Sequence, residues 1–153
     1  MPTTQPIKAV RLTRQLAAAP SVVGAAWTDP KAFQQWMGPV GWSIADCTID
    51  LRPGGEWSTT QQSPDGGLHP TGGRYLVVDP PRHLAFNWTL AQPDGTVVME
   101  AEHHVWLTPH DEGTALTLEI RVMIAGPGSE GFVAGVEMGW TGTLGKLATY
   151  LKN

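Results

Sequence analysis

Few side chains in this 153-residue sequence are able to do chemistry, and their spacing decides what each one can do. His103 and His104 are adjacent. Neighbours on an extended chain point to opposite faces, so the two imidazoles cannot chelate one ion. Glu100, Glu102 and His104 share a parity, but it is the polar one, expected on the solvated side of a half-buried sheet. Three such groups with nothing behind them would hold a metal weakly. His103 falls on the apolar parity with Met99, Ala101, Val105 and Leu107, where an imidazole beside polar partners has the makings of a general base. Asp50, just ahead of Arg52-Pro53-Gly54-Gly55, reads as the organiser of that turn. Gly126-Pro127-Gly128-Ser129-Glu130-Gly131 has the spacing of a dinucleotide loop. That site also needs a following strand and an acidic residue about 20 positions on, and here a helix ends the chain. The segment is turn chemistry. Cys47 is the sole cysteine, which excludes an intrachain disulfide and a Cys-based zinc site, and no activating base is evident for it. No Gly-x-Ser-x-Gly elbow is present. No catalytic residue, metal ligand or cofactor is assigned from the sequence.

Seven tryptophans are the compositional oddity: Trp27, Trp36, Trp42, Trp57, Trp88, Trp106 and Trp140. They either fill a core or line a cavity for a small molecule, and composition does not separate the two. The chain is 41% hydrophobic and 16% charged with a net charge of −4, and its ten Lys and Arg residues are scattered. Phosphate binding needs clustered positive charge, so nucleic acid is excluded as the expected partner. The N-terminal segment lacks the uninterrupted apolar stretch of about 7–15 residues that a secretory signal requires. No run approaches the roughly 20 apolar residues that cross a bilayer. No membrane association is expected, and the expected location is the cytoplasm.

The elements that must position these residues follow from periodicity and punctuation. Ile7 to Leu16 alternates as a strand. Pro20 to Trp27 reads as a short helix with proline in its first turn, and Asp29-Pro30 as the N-cap and first position of a second helix that stops at Gly38-Pro39. The period then changes to two. Strand-like runs at Ser43–Leu51, Glu56–Gln62, Gly73–Val78, His83–Leu90, Thr96–Leu107 and Thr114–Ile124 are separated by Gly, Pro and Asp turns, as in an antiparallel meander. The face assignment of Arg74 to Val78 stays open, because its residues do not alternate. Ser129 to Leu151 is a long helix with Val133, Val136, Trp140, Leu144, Leu147 and Leu151 in one stripe. Gly131, Gly135, Gly139, Gly142 and Gly145 fall largely on its other side. Each costs about 1 kcal/mol relative to alanine inside a helix. That face reads either as a contact surface, such as that of a homodimer, or as a weakly stable solvent face.

The ordered set Ala26-Trp27-Thr28-Asp29-Pro30, Trp36, Gly38-Pro39, Asp50-Leu51-Arg52-Pro53-Gly54-Gly55-Glu56-Trp57, Gly73 with Tyr75, Pro80-Pro81, Leu84 to Trp88, Gly113-Thr114 and Gly139-Trp140 resembles the Bet v 1-like/START-like (SRPBCC) superfamily, and within it the activator of Hsp90 ATPase homologue-like group. The resemblance covers nearly the whole of residues 1–153 as a single domain. It implies an α+β helix-grip fold: a curved antiparallel seven-stranded sheet wrapped around a long C-terminal helix, with two short helices after the first strand. It implies no single activity, because the superfamily hosts lipid carriers, hormone receptors, cyclases and co-chaperone domains. The resemblance ties co-chaperone activity to relatives with an additional N-terminal domain, and with no room for one expected in 153 residues that role is not the expected one.

A curved sheet under one long helix would enclose a cavity. Strand parity turns Trp57, Thr59 and Gln61, then Leu84, Phe86, Trp88 and Leu90, then His103 and its apolar neighbours, and Leu116 to Val122 toward it. The residues expected to meet a ligand are Trp57, Phe86, Trp88, His103, Val136 and Trp140, with Trp36 and Trp42 at the mouth. The expected partner is a small apolar molecule oriented by one or two hydrogen bonds. An enzyme of cyclase or hydrolase type using His103, and a protein-interaction domain like the Hsp90-activating relatives, are the alternatives.

Overall fold

The computed structural model describes residues 6–92 and 94–152, so Pro93 of the Pro93-Asp94-Gly95 turn and residues 1–5 and 153 lie outside the described residues. The elements run β1 (Lys8–Leu16), α1 (Pro20–Thr28), α2 (Pro30–Trp36), β2 (Ser43–Ile49), β3 (Glu56–Gln62), β4 (Leu68–Asp79), β5 (His83–Ala91), β6 (Val97–His110), β7 (Gly113–Ala125) and α3 (Glu130–Leu151). The seven strands form one antiparallel sheet in the order β1-β7-β6-β5-β4-β3-β2. This is the helix-grip arrangement that the sequence implies. β1 and β2 are the two edges, and α1 and α2 carry the chain from one edge to the other.

Local chemistry sets the helix ends. Pro20 and Pro30 each sit in a first turn, where a missing N–H costs nothing. The Asp29 carboxylate accepts from the Lys31 amide at 3.0 Å, which caps α2 as its sequence suggests. α2 stops at Trp36 because Gly38 adopts a left-handed φ of +96° ahead of Pro39.

β4 is longer than its alternation suggests. Its first residues, Leu68 to Thr71, pair with β3 alone, and pairing to β5 begins only at Gly72. That stretch behaves as an edge, which is where Pro70 is tolerated in a strand. A bulge between Tyr75 and Val77 shifts the register against β5. One extra residue inverts the parity beyond it, which is why Arg74 to Val78 shows no clean alternation.

The inner face of the sheet, α1, α2 and the second half of α3 close over one core. Leu118, Ile120, Val122 and Leu147 are completely buried, each stabilising the fold by roughly 1.5–3 kcal/mol through area removed from water. Trp27 knits the layers together. Its ring lies 4.7 Å from Trp36 edge-on and 5.8 Å from Trp140 in a stack, and Trp36 donates its indole N–H to the Ala26 carbonyl at 3.0 Å.

Candidate functional site

α3 does not cover the whole concave face. It packs chiefly on β1, β7 and α2, and its buried side chains Trp140, Thr143, Leu144 and Leu147 all lie from its midpoint onward. The first half carries Gly131, Gly135 and Gly139, where a Cβ would meet nothing within 4 Å. The space beside those glycines is a cleft of about 1290 Å³ between α3 and strands β3 to β6. Its lining also takes in Glu56, Arg74 and Glu100 from the outer side of the sheet, next to Gly72 and Gly73 on β4, so the interior share is smaller than the whole.

Trp42, Trp57, Trp88, His103, Val136 and Trp140 all line this cleft. Trp36 does not: it is wholly buried beneath α1, between Trp27 and Phe33. Phe86 does not line the cleft: it is buried beside its cross-strand partner His103, with ring centroids 5.1 Å apart and planes 4° from parallel. Sequence parity placed Phe86 on the inner face correctly but does not report depth within it. Residues that parity did not suggest also line the cleft, among them Met37, His69 and the α3 glycines. His69 sits 5.1 Å from Trp42 at the end of the strand stretch that its prolines and glycines disguise as a turn.

His103 is the polar centre of the aromatic wall. It is 3% exposed and surrounded by Phe86, Trp140 at 5.4 Å and Trp88 at 5.8 Å. Its Nδ1 is 3.2 Å from the Ala101 carbonyl. A carbonyl only accepts, so Nδ1 carries the proton and donates. Burial of the ring pushes its pKa down to about 3, opposed by that backbone bond and reinforced by neighbouring His104. The imidazole is therefore neutral, and Nε2 presents a lone pair. Among the described residues nothing bonds Nε2, nor the indole N–H of Trp88 or Trp140, nor the Gln61 amide, all of which belong to residues lining the cleft. Thr59 Oγ1, on β3, and the Trp27 indole N–H are buried without a partner. Trp57 is anchored instead, donating to the Asn87 carbonyl at 3.1 Å. That same carbonyl lies so close to Gly73 that a Cβ there would collide with it.

Charge is confined to the outer side. Glu56 and Arg74 form an exposed ion pair at 2.9 Å, and Glu100 accepts from Asn87 and Thr89 at 3.2 Å. No Lys, Arg, Asp or Glu of the described residues lines the inner part of the cleft. The His83, His104 and Trp106 rings stack on the outer face, with His83 Nε2 3.2 Å from His104 Nδ1. Among the described residues no group of three His, Cys, Asp or Glu side chains is arranged to hold a metal ion. No helix among them is long and apolar enough to cross a membrane.

The mouth is held by α3. Lys146 Nζ donates to the carbonyls of Gly38, Trp42 and Met37 at 3.1, 3.2 and 3.3 Å. Thr143 Oγ1 adds a bond to Gly38 at 3.1 Å. The 37–42 segment, and Trp42 with it, is fastened to the helix by these bonds.

The same architecture recurs among known structures. A protein from Nitrosomonas europaea is 34% identical with a TM-score of 0.75, covering 94% of each chain. An AHSA1 protein from Silicibacter pomeroyi is 29% identical with a TM-score of 0.78, covering 95% of this chain and 98% of that one. An uncharacterised protein from Rhizobium leguminosarum, at 23% identity and a TM-score of 0.79 over 95% of this chain and 94% of that one, shares the fold. No curated protein sequence matches the chain. The family model described as activator of Hsp90 ATPase homolog 1-like protein matches residues 17–152. With fold and sequence in agreement over nearly its whole length, the chain belongs to the activator of Hsp90 ATPase homolog 1-like family.

Proposed function

We propose that this protein binds a small apolar molecule in the cleft between the curved sheet and the first half of α3. The observation that supports this reading is an inner wall of Trp57, Trp88, His103 and Trp140 that is aromatic, uncharged and furnished with unpartnered polar atoms. Apolar walls with a few convergent polar groups are what small-molecule sites share. The α3 glycines keep the space open at a cost in helix stability, which a packed interior would not require. Acid–base catalysis is less well supported. His103 stays neutral with a pKa of about 3, far below the range of an effective general base, and no carboxylate shares the inner wall with it.

Titration with the neutral probe N-phenyl-1-naphthylamine, followed by quenching of tryptophan emission, tests the reading. Saturation at one probe per chain is expected, and Gly135→Leu, which fills the cleft without removing a core contact, is expected to weaken binding about tenfold or more, equivalent to roughly 1.4 kcal/mol. Quenching that never saturates, or that is unchanged in the filled variant, rejects it.

A further inference from the structure

We propose that the ligand of this cleft is a neutral apolar molecule carrying a hydroxyl group, and that the hydroxyl donates its hydrogen to Nε2 of His103. The inference rests on the cleft-binding reading and narrows its ligand class. Three observations meet at one ring. The Nδ1 contact with Ala101 at 3.2 Å fixes the tautomer, so Nε2 is an acceptor and never a donor. The ring is 3% exposed, lines the cleft, and leaves Nε2 without a partner among the described residues. The atoms sealed without a partner among the described residues are Trp27 Nε1 and Thr59 Oγ1, not Nε2, so Nε2 is open to the cleft and within reach of a ligand donor. Inside an aromatic, uncharged wall a hydrogen bond to it is worth more than one made at the exposed surface.

The surroundings choose between donors. A carboxylate or phosphate would bring an acceptor to an acceptor, with no Lys or Arg of the described residues on the inner wall to neutralise it. An ammonium would donate, but it would enter an apolar enclosure with no inner carboxylate to receive it. A hydroxyl is uncharged, and its oxygen can in turn accept from the free indole N–H groups of Trp88 or Trp140, whose rings lie 5.8 and 5.4 Å from His103. Phe86, the cross-strand partner of His103, stacks on one face of the imidazole at 5.1 Å and helps fix the plane of the ring.

The test compares three probes of one skeleton by calorimetry: 1-naphthol, 1-methoxynaphthalene and 1-naphthoate. We expect 1-naphthol to bind about three- to tenfold more tightly than its methyl ether, the range of one net hydrogen bond. The extra methyl of the ether works in the opposite direction, so a preference for the alcohol is not a hydrophobic effect. We expect 1-naphthoate to bind weakest, and His103→Leu to abolish the alcohol's advantage while keeping affinity for the ether. A readout in the wild-type chain needs no variant: the lone-pair ¹⁵Nε2 resonance of His103 should move when 1-naphthol binds and stay in place with the ether. Equal affinities, an advantage that survives in His103→Leu, tighter binding of 1-naphthoate, or a stationary ¹⁵Nε2 resonance overturns this inference while leaving the cleft as a binding site. Failure of all three probes to bind overturns both.

Discussion

At the scale of single residues, His103 and Lys146 carry the strongest claims. Burial holds His103 near pKa 3 in the fold, against 6.5 for an ordinary imidazole. Below pH 6.5 the unfolded chain takes up a proton that the folded chain refuses. The contribution of this site to stability is therefore complete above about pH 6.5 and declines as pH falls toward 3, by at most ~1.4 kcal/mol per pH unit. Between pH 7 and pH 5 the wild type should lose ~2 kcal/mol more stability than His103→Leu in paired urea unfolding curves. An identical loss in both proteins contradicts the assignment. Lys146 is tested differently. Lys146→Met keeps the stem but leaves the carbonyls of Met37, Gly38 and Trp42 without their common donor. It should cost about 1–3 kcal/mol and raise hydrogen exchange across residues 37–42, with the sheet amides unchanged. Protection of that segment equal to the wild type would show that the lysine does not hold the mouth.

At the scale of elements, much of the fold was legible in the sequence. Alternation marks β1 and turn residues mark β2, β3, β5, β6 and β7 to within a few positions, and Asp29-Pro30 announces α2 down to its cap. β4 was the exception, for two physical reasons. Pro70, Gly72 and Gly73 look like a turn, and only the absence of a β5 partner for Leu68 to Thr71 makes Pro70 compatible with a strand. The bulge at Tyr75 to Val77 then scrambles the alternation that would have revealed the rest. α3 was read correctly as a stripe of Val136, Trp140, Leu144 and Leu147, yet a helical projection does not say what lies beside its glycines. In the fold Gly131, Gly135 and Gly139 border the cleft. Gly135→Ala should accordingly stabilise the protein by roughly 0.5–1 kcal/mol, because its Cβ meets nothing within 4 Å and the helix gains propensity. Gly142→Ala should gain less, since its Cβ would stand 3.1 Å from Val40 Cγ2. Thermal melts of the two variants check the order. Destabilisation by Gly135→Ala would mean that the space beside it is closed.

At the scale of the whole molecule, the cleft arises from an incomplete embrace. The sheet curves around α3, but the helix is seated against β1, β7 and α2, so the inner face of β3 to β6 keeps an aromatic wall with room in front of it. Strand parity points to Trp57, Trp88 and His103 and the helical stripe to Trp140, because these positions face inward whatever the curvature. The expectation of Trp36 at the mouth fails because it is sealed into the core with Trp27 and Phe33, and parity does not show that Phe86 is buried beside His103, because depth depends on how the helices are placed over the sheet. The most direct test of the central claim is a map of amide and indole ¹⁵N chemical-shift changes on adding N-phenyl-1-naphthylamine to the labelled chain. The account predicts saturable shifts at the indoles of Trp57, Trp88 and Trp140 and at the backbone from Gly131 to Gly139, with Trp36 and Trp106 unmoved. Shifts confined to the outer face around His83, His104 and Trp106 would contradict it.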